Sequence, residues 1–280
     1  MKRWVLFLVA LIVLILLLAY TKTRSCYPMK QGQEIPKILW SFWDSDEIPP
    51  FVQKCIDSWK KFNPDYTVNF MTKSTLGKYL GEEEAQAIIN WKFNDSPQRL
   101  SDLVRLSAVS KFGGVWLDAS VVCFKSFNWL QEEQSDCILF SIKELSKDPT
   151  IESWFIAAIP EHPYVIAWNK EFRSIDQYNS VDEYIKVSGT NQDAIAYNVN
   201  YLVVYLCARK VFHDYGEESV KILSASDGPY EYMVKGGIKS LCDSRNSFAK
   251  FRKDERAEMT PEVEACIFNP GEKQDAPNNN

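Results

Sequence analysis

Four side chains that lie close together in the chain, Asp102, Arg105, Asp118 and Ser120, have the types and spacing from which chemistry can be built. Asp118 closes the run Gly113-Gly114-Val115-Trp116-Leu117-Asp118-Ala119-Ser120, in which two glycines lead into an apolar segment of strand character. An acid delivered to the carboxyl end of a buried strand stands where open α/β sheets place nucleotide phosphates and their metal ions. The same pattern also suits a plain turn, because Asp bonds nearby backbone amides. Asp102 and Arg105 are three residues apart, so a helix puts them on one face. By themselves they are equally compatible with a surface ion pair.

The elements that must position these groups are legible around them. Ser96 suits an N-cap and Pro97 the first helical position, where its missing N–H costs nothing. Leu100, Leu103, Val104 and Ala108 then recur at helical spacing, and Gly113 is suited to close the helix in a left-handed conformation. Upstream, residues 37–43 read as a strand, a helix opens at Pro49-Pro50 with Val52, Cys55, Ile56, Trp59 and Phe62 on its apolar face, residues 66–72 read as a second strand and residues 82–93 as a helix. Downstream, residues 121–124, 137–142 and 154–159 read as strands, and residues 164–172 and 192–212 as helices. The β-α-β order predicts an α/β fold with a mixed, mostly parallel sheet. His162, before Pro163, is expected to cap a helix, and His213 to meet the carbonyls at the end of one.

The runs Arg99-Leu100-Ser101-Asp102-Leu103-Val104-Arg105 and Lys111-Phe112-Gly113-Gly114-Val115-Trp116-Leu117-Asp118-Ala119-Ser120 resemble the signature of sugar transferases related to glycosyltransferase family 32, and within them the capsular polysaccharide synthesis branch. Three further segments are similar in the same order. Ile35 to Trp43 is similar to the opening strand of those enzymes, Cys55 to Tyr66 to the helix and turn that follow, and Trp154 to Ala158 with His162-Pro163 to a segment near their acceptor side. Asp227-Gly228-Pro229 resembles a Gly-Pro motif late in the domain. The similarity covers about residues 34 to 235.

The resemblance implies a GT-A-type, Rossmann-like domain that transfers a sugar from a nucleotide-diphosphate donor to a glycan or polysaccharide acceptor, with retention of configuration. It implies that Asp118 binds a divalent metal, Mn²⁺ or Mg²⁺, on the donor pyrophosphate, that Arg105 contacts donor phosphate or sugar, and that Asp102 orients Arg105 or grips a sugar hydroxyl. It also implies that Trp43 stacks on the base, although Trp43 is as well suited to a core position. Many of these enzymes carry Asp-x-Asp, whereas here the third position is Ser120, a neutral and weaker ligand for a hard cation. The alternative is therefore a catalytically inactive sugar- or nucleotide-sugar-binding protein on the same fold.

Composition sets the remaining bounds. The 280 residues carry a net charge of −5, which disfavours nucleic acid as a partner, since a backbone binder needs a basic stripe. Residues 4–20 form an uncharged apolar run, about 25 Å long as a helix, between Met1-Lys2-Arg3 and the basic Lys22 and Arg24. A cleaved signal peptide is the alternative, but no small-x-small cleavage site follows, so residues 1–24 are expected to form a single membrane anchor. The basic flanks place the N-terminus in the cytoplasm, and the catalytic domain then faces a Golgi-type lumen in a eukaryotic or viral setting. Residues 25–34 read as a stem, 35–250 as the transferase domain, and 251–280 as a flexible C-terminal tail. Seven cysteines without a C-x-x-C pair, and only two histidines, argue against a structural zinc site. A lumenal domain has room for one to three disulfides, whereas Cys55, Cys123 and Cys207 also suit buried thiols.

Overall fold

The computed structural model describes residues 33–142, 149–189, 198–216, 219–243 and 245–268. In chain order its main elements are β1 (Ile38–Phe42), α1 (Pro50–Phe62), β2 (Thr67–Met71), α2 (Glu82–Ile89), α3 (Pro97–Phe112), β3 (Gly114–Leu117), β4 (Val121–Cys123), β5 (Cys137–Ser141), β6 (Ile151–Ala158), α4 (Pro163–Ser174), α5 (Val181–Ser188), α6 (Val203–Tyr215), β7 (Lys221–Ser224), β8 (Phe248–Lys250), α7 (Lys253–Ala257) and α8 (Pro261–Phe268). Six strands make one sheet in the order β2-β1-β3-β6-β5-β7, and β4 pairs with β8 apart from it. β1 is parallel to β2 and β3, and β5 to β7, while β6 is antiparallel to both neighbours. Five strands thus share one direction and β6 alone opposes them.

Alternation along the strands explains why the sheet is covered on both sides. Leu39, Val115, Leu117, Phe155 and Ala157 pack with Val52, Cys55, Ile56 and Trp59 of α1. Their neighbours Trp40, Trp116 and Ile156 pack on the other face with Leu100, Leu103, Val104 and Ala108 of α3 and with Tyr164 and Trp168 of α4. Strands buried on both faces, under helices on each, give a three-layer α/β arrangement.

The helix that leads to the site starts as its sequence indicates. The Ser96 hydroxyl accepts from the Arg99 N–H at 3.3 Å, with Pro97 in the first turn. Its end differs from the left-handed cap expected, because Gly113 has φ 63° with an extended ψ of −159°, a combination open essentially to glycine alone. A Cβ on Gly113 would meet Pro160 N at 2.5 Å, and one on Gly114 (φ +92°) would meet Ile38 O at 2.7 Å. Both glycines are needed because the chain turns from helix to central strand against its neighbours.

Several boundaries shift. β6 begins at Ile151 rather than 154, α2 ends at Ile89 rather than 93, and α6 begins at Val203, whereas the expected start at 192 lies outside the described residues. The C-terminal segment departs most from expectation. Residues 251–268, expected as a flexible tail, carry α7 and α8, bury Phe251, Val263 and Ile267, and are joined to the preceding turn by a Cys242–Cys266 disulfide. Apolar residues widely spaced in a charged segment supply that packing. Cys55, Cys123, Cys137 and Cys207 are free and buried. The anchor expected at 4–20 lies outside the described residues, among which no helix is long and apolar enough to cross a membrane.

Candidate functional site

β1 and β3 are parallel, so both deliver their carboxyl ends to one edge of the sheet, and antiparallel β6 begins at that edge. Trp43 follows β1, with its N–H donating to Met71 O at 2.9 Å, and Asp118 follows β3, with its N–H donating to Trp154 O at 3.0 Å. The register Leu117↔Phe155 then brings the first residues of β6, among them Glu152 and Ser153, alongside Asp118. A cavity of about 560 Å³ opens there and is lined by Trp43, Asp102, Arg105, Asp118 and Ser120 together. All five candidate residues converge on one cleft.

The Asp118 carboxylate is fully engaged. Its Oδ1 accepts from Arg105 Nη2 at 3.0 Å and from Trp116 Nε1 at 3.1 Å, and its Oδ2 accepts from Lys250 Nζ at 3.0 Å. Burial alone would raise this acid, but Lys250 and Arg105 outweigh it and hold the carboxyl well below the usual carboxylate range. Arg105 also contacts Asp102 Oδ1 at 3.1 Å, donates to Ser153 Oγ, and lies 5.4 Å from the centre of the Trp116 ring.

The Asp102 and Arg105 side chains are each 6% exposed, so this is no surface ion pair. One guanidinium serves two carboxylates; Asp118 also accepts from Lys250, while Arg99 lowers Asp102 less than Arg105 does. Burial accordingly pushes Asp102 up to about 6 despite Arg105, and Asp118 adds to the rise. Trp43 is half-buried, lining the cavity while also packing against the core on one face of the sheet, whereas Trp40 and Phe42 are buried in the core on the other.

Lys250 and Glu152 escape a reading of the motifs. Lys250 comes from β8, opposite Val121 of β4, and its ammonium donates to Ser120 Oγ at 2.7 Å as well as to Asp118. Only the pairing of two three-residue strands far apart in sequence puts it there. Glu152 is buried and accepts from the Tyr205 hydroxyl at 2.8 Å, and burial pushes its carboxyl up to about 7. An acid in a mostly apolar strand, close before Trp154-Phe155, is the available signal. His162 occupies the N-cap position of α4 but makes no side-chain cap bond, and burial pushes its imidazole down to about 4. His213 is in the last turn of α6, exposed.

A divalent metal on Asp118 and Ser120 can be tested against this donor set. Hard cations take several oxygen ligands, mostly carboxylate, carbonyl or water. Here one carboxylate has both oxygens on cations, and the hydroxyl beside it accepts from the same ammonium. Among the described residues no cluster of three or more His, Cys, Asp or Glu is suited to a metal. The residues present do not fit a bound divalent ion in this arrangement, contrary to the expectation from the resemblance.

A doubly covered α/β sheet with a polar cleft outside the carboxyl ends of its strands defines the class of α/β proteins that take ligands at that edge. A model of the capsular polysaccharide synthesis protein family matches residues 19–215, and the chain belongs to that family. Among curated proteins it is similar to the O-glycosyltransferase braB of Annulohypoxylon truncatum, 26% identical over 157 residues, which is 50% of this chain and 37% of that protein. It is also similar to the mannosyl phosphorylinositol ceramide synthase SUR1 of Saccharomyces cerevisiae, 24% identical over 152 residues, 52% of this chain and 37% of that one. The matched part is thus well under half the length of either relative. Among solved structures, the ligand-free glycosyltransferase domain from the YGT toxin aligns with a TM-score of 0.45 at 10% identity, over 69% of this chain and 80% of that one.

Proposed function

We propose that this protein is a membrane-anchored glycosyltransferase of the GT-A type that moves a sugar from a nucleoside-diphosphate donor to a hydroxyl of a glycan or polysaccharide, with retained configuration. The observation that carries this reading is the meeting of Trp43, Asp102, Arg105, Asp118 and Ser120 in one cavity at the carboxyl edge of the sheet. Family membership and the similarity to an O-glycosyltransferase and to a mannosyl phosphorylinositol ceramide synthase support it. In the transfer, the bond from the anomeric carbon to the donor phosphate breaks, and its electron pair leaves with the nucleoside diphosphate. The acceptor oxygen bonds to the same carbon and gives up its proton.

Charge gathers on the leaving diphosphate, so fixed cations aimed at it favour the transition state. Arg105 supplies one, its fork held by Asp102, Ser153 and Asp118. Glu152, with a carboxyl near neutrality, is suited to exchange a proton with the acceptor hydroxyl. Trp43 offers an aromatic face to the base. Placement of the domain across the membrane from the N-terminus is supported by the Cys242–Cys266 disulfide, since such bonds persist in oxidising compartments.

The base-stacking role is tested by titrating UDP and GDP into the full chain in detergent. Trp43→Ala is expected to weaken binding of the preferred nucleotide about tenfold, as the loss of one stacking platform does. Equal affinity in the variant would remove Trp43 from the donor site. A second reading, a sugar-nucleotide binder without turnover, is favoured by one observation: Lys250 closes the Asp118-Ser120 pair.

A further inference from the structure

We propose that Lys250 is the resident cation of this cleft. On the glycosyltransferase reading above, its ammonium neutralises the diphosphate of the donor, and donor binding needs no divalent metal. The ammonium lies between Asp118 Oδ2 (3.0 Å) and Ser120 Oγ (2.7 Å), the two groups that would have formed a metal site. A metal held there would have to displace a full positive charge from Asp118 Oδ2. Lys250 itself is built in rather than borne on the surface, for its side chain is 12% exposed.

Its backbone is fixed on every side. The strand register opposes it to Val121, its N–H donates to Pro229 O at 3.3 Å, and its carbonyl accepts from the Tyr232 hydroxyl at 2.8 Å. The next residue, Phe251, donates its N–H to Ser120 O at 3.0 Å, so the lysine strand and the Ser120 turn are bonded directly. An ammonium has three N–H donors, and Asp118 and Ser120 take two, which leaves one for a ligand oxygen at the cavity wall.

Charge at the rim agrees. The lining carries four acids, Asp44, Asp102, Asp118 and Glu152, and five cations, Arg105 and Lys250 with Arg252, Lys253 and Arg256 from the residues after Lys250. Arg252 is committed to Glu255, whereas Lys253 and Arg256 add positive charge at the mouth. A diphosphate entering this cleft meets cations fixed in advance, the arrangement in which electrostatic stabilisation needs least reorganisation. Lys250 lies beyond residues 19–215, the part of the chain matched by the family model.

The test is calorimetric titration of UDP and of GDP into the full chain in detergent, with EDTA and then with Mn²⁺. The affinity of the preferred nucleotide is expected to agree within about threefold between the two conditions, and binding more than about tenfold tighter with Mn²⁺ would overturn the proposal while leaving the transferase reading in place. Lys250→Met keeps the apolar stem and removes the charge, so affinity in EDTA should fall about tenfold or more, and Lys250→Arg should retain most of it. Unchanged affinity in a folded Lys250→Met protein would also overturn it. If that variant does not fold, the wild-type comparison decides alone. Failure of both nucleotides to bind in either condition would overturn the lysine role and the transferase reading together.

Discussion

Arg105 and Glu152 both line the cleft. Arg105 reaches Asp102, Ser153 and Asp118 at once, a geometry that depends on a planar fork. In Arg105→Lys a single ammonium cannot span those partners, so donor turnover should fall by about a hundredfold, the scale of losing one fixed electrostatic contact. Wild-type kinetics in that variant would reduce the pair to a structural bridge. Glu152 makes a pH prediction. Its carboxyl is raised from 4.5 to about 7 in the fold, so the folded chain binds more protons than the unfolded chain between those values. The stability this contributes is whole below 4.5 and is lost as pH rises through about 7. Glu152→Gln cannot ionise and keeps a partner for Tyr205. Its stability should therefore gain on wild type as pH rises from mildly acidic to mildly alkaline, by up to about 3 kcal/mol, with its melting temperature rising relative to wild type in the same sense. Thermal denaturation across that range checks the sign; a gap that narrows with rising pH would contradict it.

The elements differ in how plainly the sequence declares them. The helix Pro97–Phe112 and the strand Gly114–Leu117 are legible because cap, proline, apolar spacing and glycines all agree, and through them Asp102, Arg105 and Asp118 are legible too. β8 is not, since three residues, Phe248–Lys250, pair with Val121–Cys123, far earlier in the chain, and no local pattern marks them. Propensity describes a residue's neighbours in the chain, and Lys250 owes its place to partners distant in sequence. The same holds for the length of β6, whose added residues Ile151 to Ser153 carry Glu152 into the cleft. The Cys242–Cys266 disulfide spans β8 within its loop, with α8 at one end. Replacing both cysteines by alanine should lower stability by about 3 kcal/mol and weaken nucleotide binding, because the strand that carries Lys250 loses its closure. Unchanged binding alongside a lowered melting temperature would show that the strand holds its place without the bridge.

At the scale of the molecule, a sheet buried on both faces leaves ligand chemistry to its edges, and the cleft occupies the edge where β1 and β3 end and β6 begins. On the proposed membrane anchor, the apolar run at residues 4–20 would set which compartment that cleft faces. With the basic flanks as they stand, a C-terminal tag in sealed microsomes should resist added protease until detergent is present. Digestion without detergent would reverse the topology and leave the cleft's chemistry untouched. The central claim is that the cleft transfers a sugar from a nucleoside diphosphate. Release of free nucleotide by the full chain, measured over a panel of UDP- and GDP-sugars with a glycan acceptor, tests it most directly. The account predicts release from one donor that falls at least about a hundredfold in Asp118→Asn. Binding of a donor with no release from any member of the panel, or release unchanged in Asp118→Asn, would contradict it.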